Sequence, residues 1–243
     1  MAITVMLNGV GEAFDPYEPN SSALVEANGF TLLIDCGHSA VSALWRRQLE
    51  PDAIDAIYLT HHHADHVLGL VPLLDRFAFD GRRRKLSIHT TQWGIGHLRK
   101  LLELGFVRLD DKSPFPLEFH DASAGQSIGP FAVELAPTIH AVATHAIMLS
   151  AGARHFAYSG DGRPTEAALA LYRRANVLMH ECYATTAQQN TKYHADLPTV
   201  AAIEGPERIG LYHVGTAMRE EMRRLADQDA RLFFAETGMT FTV

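Results

Sequence analysis

The sequence predicts a layered domain of the α/β or α+β class, and three observations lead to that prediction. Short apolar runs rich in β-branched and aromatic residues recur along the chain, bounded by Gly, Pro, Asp or Asn, as is typical of strands. Segments with helical periodicity separate several of these runs. Finally, 47% of the 243 residues are hydrophobic, and no repeat or low-complexity linker interrupts the chain. We therefore expect one domain over residues 1–243.

Each element follows from a local pattern of apolar residues. The predicted strands are, in chain order, residues 3–7, 30–34, 54–59, 86–89, 131–135, 146–149, 155–158, 177–179, 209–212, 232–235 and 240–243. Helical patterns cover residues 39–49, 67–74, 93–104, 164–175, 198–203 and 218–226. Val67 and the apolar residues three, four and seven positions later have the spacing of one helix face. Pro164 suits a first helical position, and Glu166 close behind it complements the helix dipole.

Composition and charge narrow the class of protein. The net charge is −7, whereas a general nucleic-acid binder typically has an excess of basic residues. The two cysteines, Cys36 and Cys182, lie within apolar runs and are interpreted as buried free thiols, because a disulfide framework would need more. The N-terminal residues lack the pattern of a signal peptide, and no apolar run has the length of a membrane helix. We therefore expect a cytoplasmic protein without membrane contact.

A cluster of histidines follows the predicted strand over residues 54–59. In extended backbone alternate side chains share a face, so His61 and His63 point together while His62 points elsewhere. A helix beginning directly afterwards would turn Asp65 and His66 back toward the same space. Nitrogen and oxygen ligands of this kind suit zinc, and also manganese or iron. The alternative, a tag-like surface run, fits poorly with a position between a strand and an apolar helix.

Residues 60–66, THHHADH, contain an H-x-H-x-D-H signature and resemble the metallo-β-lactamase superfamily. Later segments resemble its ribonuclease Z-like and small phosphodiesterase branch, in the same chain order: APTIHAVATH at His140, FAYSGDGRP at Asp161, YHADLPTVAAI at His194 and IGLYHVG at His213. The segment ending in LLIDCG matches as well, with Asp35 as the aspartate that supports the first metal loop. The resemblance implies a four-layer αββα sandwich with the metals at one edge, between the two sheets.

The resemblance also implies a ligand set for two zinc ions per chain, with manganese or iron as other suitable metals. One ion would take three histidines, the other an aspartate and two histidines, and one aspartate would bridge them: His61, His63 and His140; Asp65, His66 and His213; and Asp161. Two metals roughly 3.5–4 Å apart hold one hydroxide as the nucleophile. Asp65 would also orient that hydroxide or take its proton, and His194 would serve as general acid for the leaving oxygen.

Several residues keep an alternative interpretation. His145 competes with His140 for one ligand position, although the spacing to the SGDG segment favours His140. Asp161 within SGDG also fits a simple turn. His180 is expected to pack or to hold a ligand through its second nitrogen, and Glu181 to be structural or to orient a ligand. The remaining histidines are interpreted as ordinary: His38, His89, His97, His120 and His155.

The branch resemblance points to phosphodiester substrates, and two departures argue against long RNA. The tRNA enzymes carry a long arm between the segments matched by His140 and Asp161, and residues 141–160 are too short for one. The net charge is negative, whereas phosphate backbones are bound through Lys and Arg. We therefore predict hydrolysis of a small phosphodiester. The alternatives are a lactone, thioester or β-lactam carbonyl as substrate, or a non-catalytic metal-binding accessory or sensor protein.

Other features leave the substrate and partner open. The family's GDT is GDG at Asp161, and no proline follows His140, two departures that bear on the shape of the pocket. The basic run GRRRK, residues 81–85, is interpreted as a solvated loop, with a docking patch for an anionic partner as the alternative. Arg163 and Lys192 are candidates to neutralise a substrate anion. The resembled branch usually dimerises, which implies a homodimer.

Overall fold

Two β-sheets packed face to face form the centre of the fold in the computed structural model, which describes residues 2–109, 113–122, 126–187 and 192–243. The strands are, in chain order, β1 (Thr4–Gly9), β2 (Ser22–Ala27), β3 (Phe30–Ile34), β4 (Ala56–Tyr58), β5 (Leu86–Thr90), β6 (Leu117–Asp121), β7 (Ser127–Ile128), β8 (Phe131–Ile139), β9 (His145–Ala151), β10 (Arg154–Tyr158), β11 (Arg163–Pro164), β12 (Val177–Glu181), β13 (Arg208–Tyr212), β14 (Leu232–Phe234) and β15 (Thr240–Thr242). The helices are α1 (Ala40–Arg46), α2 (Ala64–Val67), α3 (Leu70–Phe79), α4 (Gln92–Leu104), α5 (Glu166–Tyr172), α6 (Leu197–Ala201) and α7 (Arg219–Ala226), with a 3₁₀ turn at Thr216–Met218.

Both sheets combine an antiparallel part with a parallel part. The first has the order β15-β1-β2-β3-β4-β5-β6, and its strands β3 to β6 run parallel. The second has the order β11-β8-β9-β10-β12-β13-β14, with β7 beside β8, and its strands β10, β12, β13 and β14 run parallel. Parallel strands end at the same edge of a sheet. Polar residues that follow these strands are therefore brought together at one edge.

The main core lies between the two sheets. Val5 and Val25 of the first sheet and Ile147, Leu149 and Phe156 of the second are fully buried in it. They alternate with residues on the opposite face, as the two-residue period of a strand requires. Two further apolar clusters lie on the outer faces, beneath α1, α3 and α4 on one side and α5, α6 and α7 on the other. The four-layer αββα sandwich is thereby confirmed.

The structure corrects the sequence reading at several elements. Every predicted strand is present, but β2, β6, β7 and β11 were not predicted from periodicity. The helical pattern over residues 67–74 is divided at Gly69 between α2 and α3. The helix start predicted at Pro164 is wrong, because Pro164 lies in β11. Thr165 caps α5 instead, its side chain accepting a hydrogen bond from the Ala168 amide at 3.1 Å.

One arginine of the basic run at residues 81–85 is structural, and the other four positions are exposed. Arg82 is fully buried and donates hydrogen bonds of 2.8 Å to the carbonyl oxygens of Pro51 and Ile54. Arg84 pairs with Asp55 at 2.5 Å. The solvated-loop interpretation is therefore wrong for Arg82, which ties the start of β5 to the segment before β4.

The cysteine prediction is confirmed, since Cys36 and Cys182 are both buried and free. Among the described residues, no helix combines the length and apolar character needed to cross a bilayer.

Candidate metal centre

Histidine and carboxylate side chains converge where parallel strands of both sheets end. They follow, in chain order, the ends of β3, β4, β10, β12 and β13: Asp35, His61, Asp161, Glu181 and His213. The helix α2 and the turn after β8 supply the rest of the cluster: His63, Asp65, His66 and His140. The carboxyl ends of parallel strands commonly carry ligand sites, because the chain leaves the sheet there with its side chains free to converge.

The first group of potential ligands contains three histidines. His61 Nε2 lies 3.2 Å from His63 Nδ1, which lies 3.0 Å from His140 Nε2. The Asp161 Oδ2 atom is 3.8 Å from both His61 Nε2 and His140 Nε2. The structure therefore brings together the three histidines predicted for one metal, and it selects His140 over His145.

The second group shares Asp161 with the first. His66 Nε2 lies 3.1 Å from Asp65 Oδ2 and 3.5 Å from Asp161 Oδ1. His213 Nε2 lies 3.4 Å from Asp65 Oδ2 and 3.3 Å from Asp161 Oδ2. Asp161 Oδ1 thus faces His66 of the second group, whereas Oδ2 faces His213 and lies 3.8 Å from His61 and His140 of the first. The carboxylate lies between the two groups, which is the position a bridging ligand requires.

Asp35 orients two of the histidines from behind. The Thr60 hydroxyl donates to Asp35 Oδ2 at 2.8 Å, so its oxygen is left to accept a hydrogen bond from His61 Nδ1 at 3.0 Å. His66 Nδ1 donates to the same carboxylate at 2.8 Å. Both imidazoles consequently present an unprotonated Nε2 to the cluster when neutral. The supporting role expected for Asp35 has a direct geometric basis.

Backbone geometry orients the other two Nε2 ligands. His140 Nδ1 donates to the carbonyl oxygen of Tyr193 at 2.8 Å, which leaves Nε2 free to face the cluster. His213 has a left-handed backbone, φ 54°, and its amide donates to the Val10 carbonyl at 2.9 Å. Such a backbone conformation is uncommon for residues other than glycine and is concentrated at functional sites.

Gly37 allows the loop after β3 to approach helix α2. A Cβ atom at Gly37 would lie 1.8 Å from the carbonyl oxygen of Asp65, which no packing adjustment would accommodate. The neighbouring Cys36 amide donates to the His66 carbonyl at 2.8 Å. The "DCG" triplet at residues 35–37 therefore supports α2 through both a side chain and a close backbone contact.

The electrostatics of the cluster favour a bound cation. Burial lowers the pKa of His61, and neighbouring histidines lower it further. Against the effect of burial, the hydrogen bond from His213 and the charge of His66 lower the pKa of Asp65. Burial also opposes the effect of the Asp161 charge, which raises the pKa of His213 to about 9. Two ionised carboxylates with little exposure thus require a balancing positive charge, which a bound cation would supply.

The donor set fits divalent metal ions. The buried atoms His66 Nε2 and Asp161 Oδ1 have no hydrogen-bond partner among the described residues. The unprotonated Nε2 atoms of His61 and His140 both face His63 Nδ1, which can donate a hydrogen bond to only one of them, so at least one lone pair remains for a cation. Imidazole nitrogens with carboxylate oxygens are ligands for zinc, manganese and iron.

A third group contains Glu181, His194 and His213, and it places the predicted general acid beside the metal cluster. Glu181 is fully buried, and its Oε1 accepts hydrogen bonds from the amides of Gly162 at 2.8 Å and Ala195 at 3.0 Å. The same oxygen lies 3.2 Å from His194 Nδ1. Although burial opposes it, Glu181 raises the pKa of His194. Sequence reasoning left the role of Glu181 open, and it proves to position the segments on both sides of the site.

Other histidines singled out in the sequence lie outside the two ligand groups. His145 begins β9, where its amide donates to the Thr60 carbonyl at 3.2 Å. His180 is fully buried, its Nδ1 bonds to the carbonyl oxygen of Glu181 at 2.6 Å, and its ring meets Tyr172 edge-on. His180 therefore packs, as its first interpretation proposed.

The two cations considered for substrate binding are engaged elsewhere. Arg163 donates to Asp196 and Thr199, both at 2.9 Å. The Lys192 ammonium lies over the ring of Tyr193 at 4.8 Å. Neither side chain lines the cavity at the metal cluster.

That cavity has a volume of about 680 Å³ and opens to solvent beside the cluster. Its lining residues are Glu12, Ala13, Phe14, Asp15, His38, His63, Ala64, Asp65, Asp161, Tyr183, His194 and His213. The volume is suited to a small-molecule ligand. His38, interpreted from the sequence as ordinary, lies on the cavity wall; nothing in its local pattern separated it from the other histidines.

Comparison with known proteins defines the class. The metallo-β-lactamase fold protein YhfI from Bacillus subtilis superposes with a TM-score of 0.83 at 22% identity, covering 98% of this chain and 99% of that one. The protein described here therefore has the metallo-β-lactamase fold, as the H-x-H-x-D-H signature predicted.

Sequence comparison then gives the family. The family model for anti-Pycsar protein Apyc1 matches residues 3–241. An anti-Pycsar protein Apyc1 from Bacillus phage 010DV004 is 30% identical over 95% of this chain and 91% of its own length. A ribonuclease Z from Haloarcula marismortui is 24% identical over 98% of this chain and 96% of its own. The chain belongs to the anti-Pycsar protein Apyc1 family.

Proposed function

We propose that this protein is a hydrolase dependent on two metal ions and that it cleaves a small phosphodiester, with a cyclic nucleotide as the representative substrate. One observation carries the proposal: two groups of potential ligand atoms meet at the carboxylate of Asp161, beside an open cavity. The likeness to ribonuclease Z, named for an RNA substrate, supports phosphodiester chemistry.

The ligands in this proposal are those that the geometry groups together. His61, His63 and His140 would hold one ion, Asp65, His66 and His213 the other, and Asp161 would bridge them. Two divalent metal ions held there would polarise water so that it ionises near neutral pH, and would hold the oxygens of a displacement reaction. Zinc is the metal we expect, with manganese or iron as substitutes.

The chain's own residues handle the protons. Hydrolysis breaks one P–O ester bond, and the leaving oxygen needs a proton. His194 lies on the cavity wall with Glu181 at its Nδ1, so Nε2 is the nitrogen available to donate that proton. Asp65, whose pKa is lowered by its histidine partners, is a weak proton acceptor and is better suited to bind and orient.

The charges on the cavity wall favour a small substrate over long RNA. Among the described residues that line it, four are acidic and none is lysine or arginine: Glu12, Asp15, Asp65 and Asp161. Binding of a nucleic-acid backbone relies on such cations. A single phosphodiester charge is instead met by the metal ions themselves.

A hydrolysis screen of the zinc-loaded protein tests the proposal. The panel is one 3′,5′-cyclic nucleotide, one lactone and one β-lactam, with Asp161→Asn as the control for contaminating activity. We expect turnover of the cyclic nucleotide. Turnover of the lactone or β-lactam alone would identify a carbonyl hydrolase. Two bound metals without any turnover would identify an accessory or sensor protein.

A further inference from the structure

An exposed aromatic side chain lies at the mouth of the cavity. Phe14 is 87% exposed, yet it lines the same cavity as His63, Asp161 and His194. A phenylalanine left in water gives up the free energy that burial would provide. Phe79 and Phe106 are about as exposed, so exposure alone does not distinguish Phe14. Its place on the wall of the cavity that also contains the metal cluster does.

The backbone that carries Phe14 is held in place by a dense set of polar contacts. We name residues 11–20 the rim loop. The Glu12 carboxylate accepts the Phe14 amide at 2.9 Å and the Thr216 hydroxyl at 3.0 Å. Three residues later, Asp15 accepts hydrogen bonds from the amides of Tyr17 at 2.9 Å and Glu18 at 3.0 Å. The ring thus projects from a positioned support on both sides.

Ion pairs anchor the rim loop to the helix beyond it. Arg219 of α7 lies 3.4 Å from Asp15 and 3.2 Å from Glu18. The Asp15 side chain is fully buried, so its charge is balanced inside the protein. A ring held on such a support loses little conformational freedom when a ligand covers it.

Phe14 is also the aromatic ring of the cavity wall with a free face. Tyr183, the other aromatic residue of the described lining besides the histidines, is half-buried, and its ring lies against His194 at 5.1 Å with a 32° tilt. Tyr17, on the same loop, is 84% exposed but does not line the cavity. Position and exposure together single out Phe14.

We propose that Phe14 is a specificity-determining residue whose ring stacks on the nucleobase, or an equivalent planar ring, of the phosphodiester substrate. The inference rests on the proposed function and adds to it the residue that would bind the ring of such a substrate. Base–aromatic stacking tolerates different bases, because every base has a π face. The phosphodiester would lie at the metal cluster and the ring would lie over Phe14.

Steady-state kinetics with two substrates tests this assignment. The first is a purine nucleoside 3′,5′-cyclic phosphate, and the second is the corresponding ribose cyclic phosphate without a base. From the strength of base stacking, Phe14→Ala should raise the KM of the first substrate by about five- to a hundredfold. Its kcat, its metal content and the KM of the second substrate should stay within about twofold of wild type. Phe14→Tyr should restore the KM, and Tyr17→Ala is the matched control that should leave it unchanged.

Equal effects of Phe14→Ala on both substrates, or no effect on either, would overturn the assignment. A binding measurement separates this result from failure of the proposed function. The Kd of a non-hydrolysable phosphorothioate analogue of the cyclic nucleotide is measured by calorimetry on the zinc-loaded variants. If the wild type hydrolyses no phosphodiester, the proposed function fails. A weaker Kd in Phe14→Ala than in Tyr17→Ala would still support the role of Phe14, whereas equal Kd values, or no binding by wild type, would refute it.

Discussion

The metal cluster and the rim loop, two walls of one cavity, are built on opposite principles. In the cluster, His61, His66, Asp161 and His213 are almost fully buried, and their polar atoms face one another. In the rim loop the polar side chains hold the loop backbone in place, and the exposed ring of Phe14 faces the cavity. Charged groups are therefore concentrated in the metal cluster, whereas those of the rim loop are neutralised by their partners.

This contrast assigns the reaction to the metal cluster and the selection of substrate to the rim loop. Buried ligands oriented by second hydrogen bonds, such as those of Asp35, serve a reaction that needs one geometry. An exposed ring on a supported loop gives affinity to a class of planar ligands without affecting the reacting atoms. Changes in the cluster should therefore reduce metal binding and kcat, and changes in the rim loop should act on KM alone.

The largest effect should come from the residue shared by both ligand groups. Asp161→Asn keeps the shape of the side chain and removes the charge that faces His66 and His213. Several kcal/mol of transition-state stabilisation depend on the metals, so we expect kcat to fall by about a thousandfold or more. Elemental analysis should show clear loss of metal. Asp75→Asn, at an exposed position of α3, is the matched control and should keep both properties.

The general-acid assignment predicts a loss that depends on the leaving group. His194→Ala should lower kcat by about a hundredfold for a substrate with an alkoxide leaving group. With bis(p-nitrophenyl) phosphate, whose leaving group needs no proton, the loss should be less than about tenfold. The control is His155→Ala, at the opposite end of β10 from Asp161. Equal losses for both leaving groups would remove the proton-donor role and leave His194 a binding residue.

A substitution of Asp35 tests whether the residue that orients the proposed ligands matters as much for metal binding as the ligands themselves. Asp35→Asn keeps the volume but weakens the bonds to Thr60 and His66. Zinc affinity should fall by about ten- to a hundredfold, measured by competition with a chelator. Unchanged affinity would show that the network around Asp35 serves folding alone.

The smallest effect should come from loosening the rim loop. Arg219→Gln removes the cation beside Asp15 and Glu18, so Phe14 should lose its fixed position. We expect the KM of a cyclic nucleotide to rise by about threefold, because the ring is kept and only its fixed position is lost, and ordering one side chain costs about 0.5–1.5 kcal/mol. Metal content should not change. Arg223→Gln, on the same helix and paired with Glu236, is the matched control; a loss of metal in Arg219→Gln alone would mean that the two walls are not independent.

The sequence predicted those parts of the fold and site that depend on local pattern. Most strands with apolar residues on at least one face appeared as apolar runs, although the buried strand β2 was missed because only Leu24 and Val25 in it are large and apolar. THHHADH placed two pairs of candidate ligands within six residues. The missed strands have physical reasons: β7 and β11 contain two residues each, and β6 is an edge strand of half-buried residues, so periodicity is weak or absent.

Non-local partners explain the remaining errors. Arg82 is buried because carbonyl oxygens about thirty positions away surround it, which a basic run gives no sign of. Glu181 links Gly162 to Ala195 across two loops. Phe14 looked like any loop phenylalanine until the fold placed it at the cavity. In each case the decisive neighbours are distant in sequence.

The central claim, that the buried cluster binds two metal ions, is tested most directly by the stoichiometry of zinc binding to the reconstituted wild-type chain. Calorimetric titration, checked by elemental analysis of the same sample, gives this number. From the two ligand groups that share Asp161, the account predicts about two ions per chain. Binding of a single ion, or of none, would contradict it.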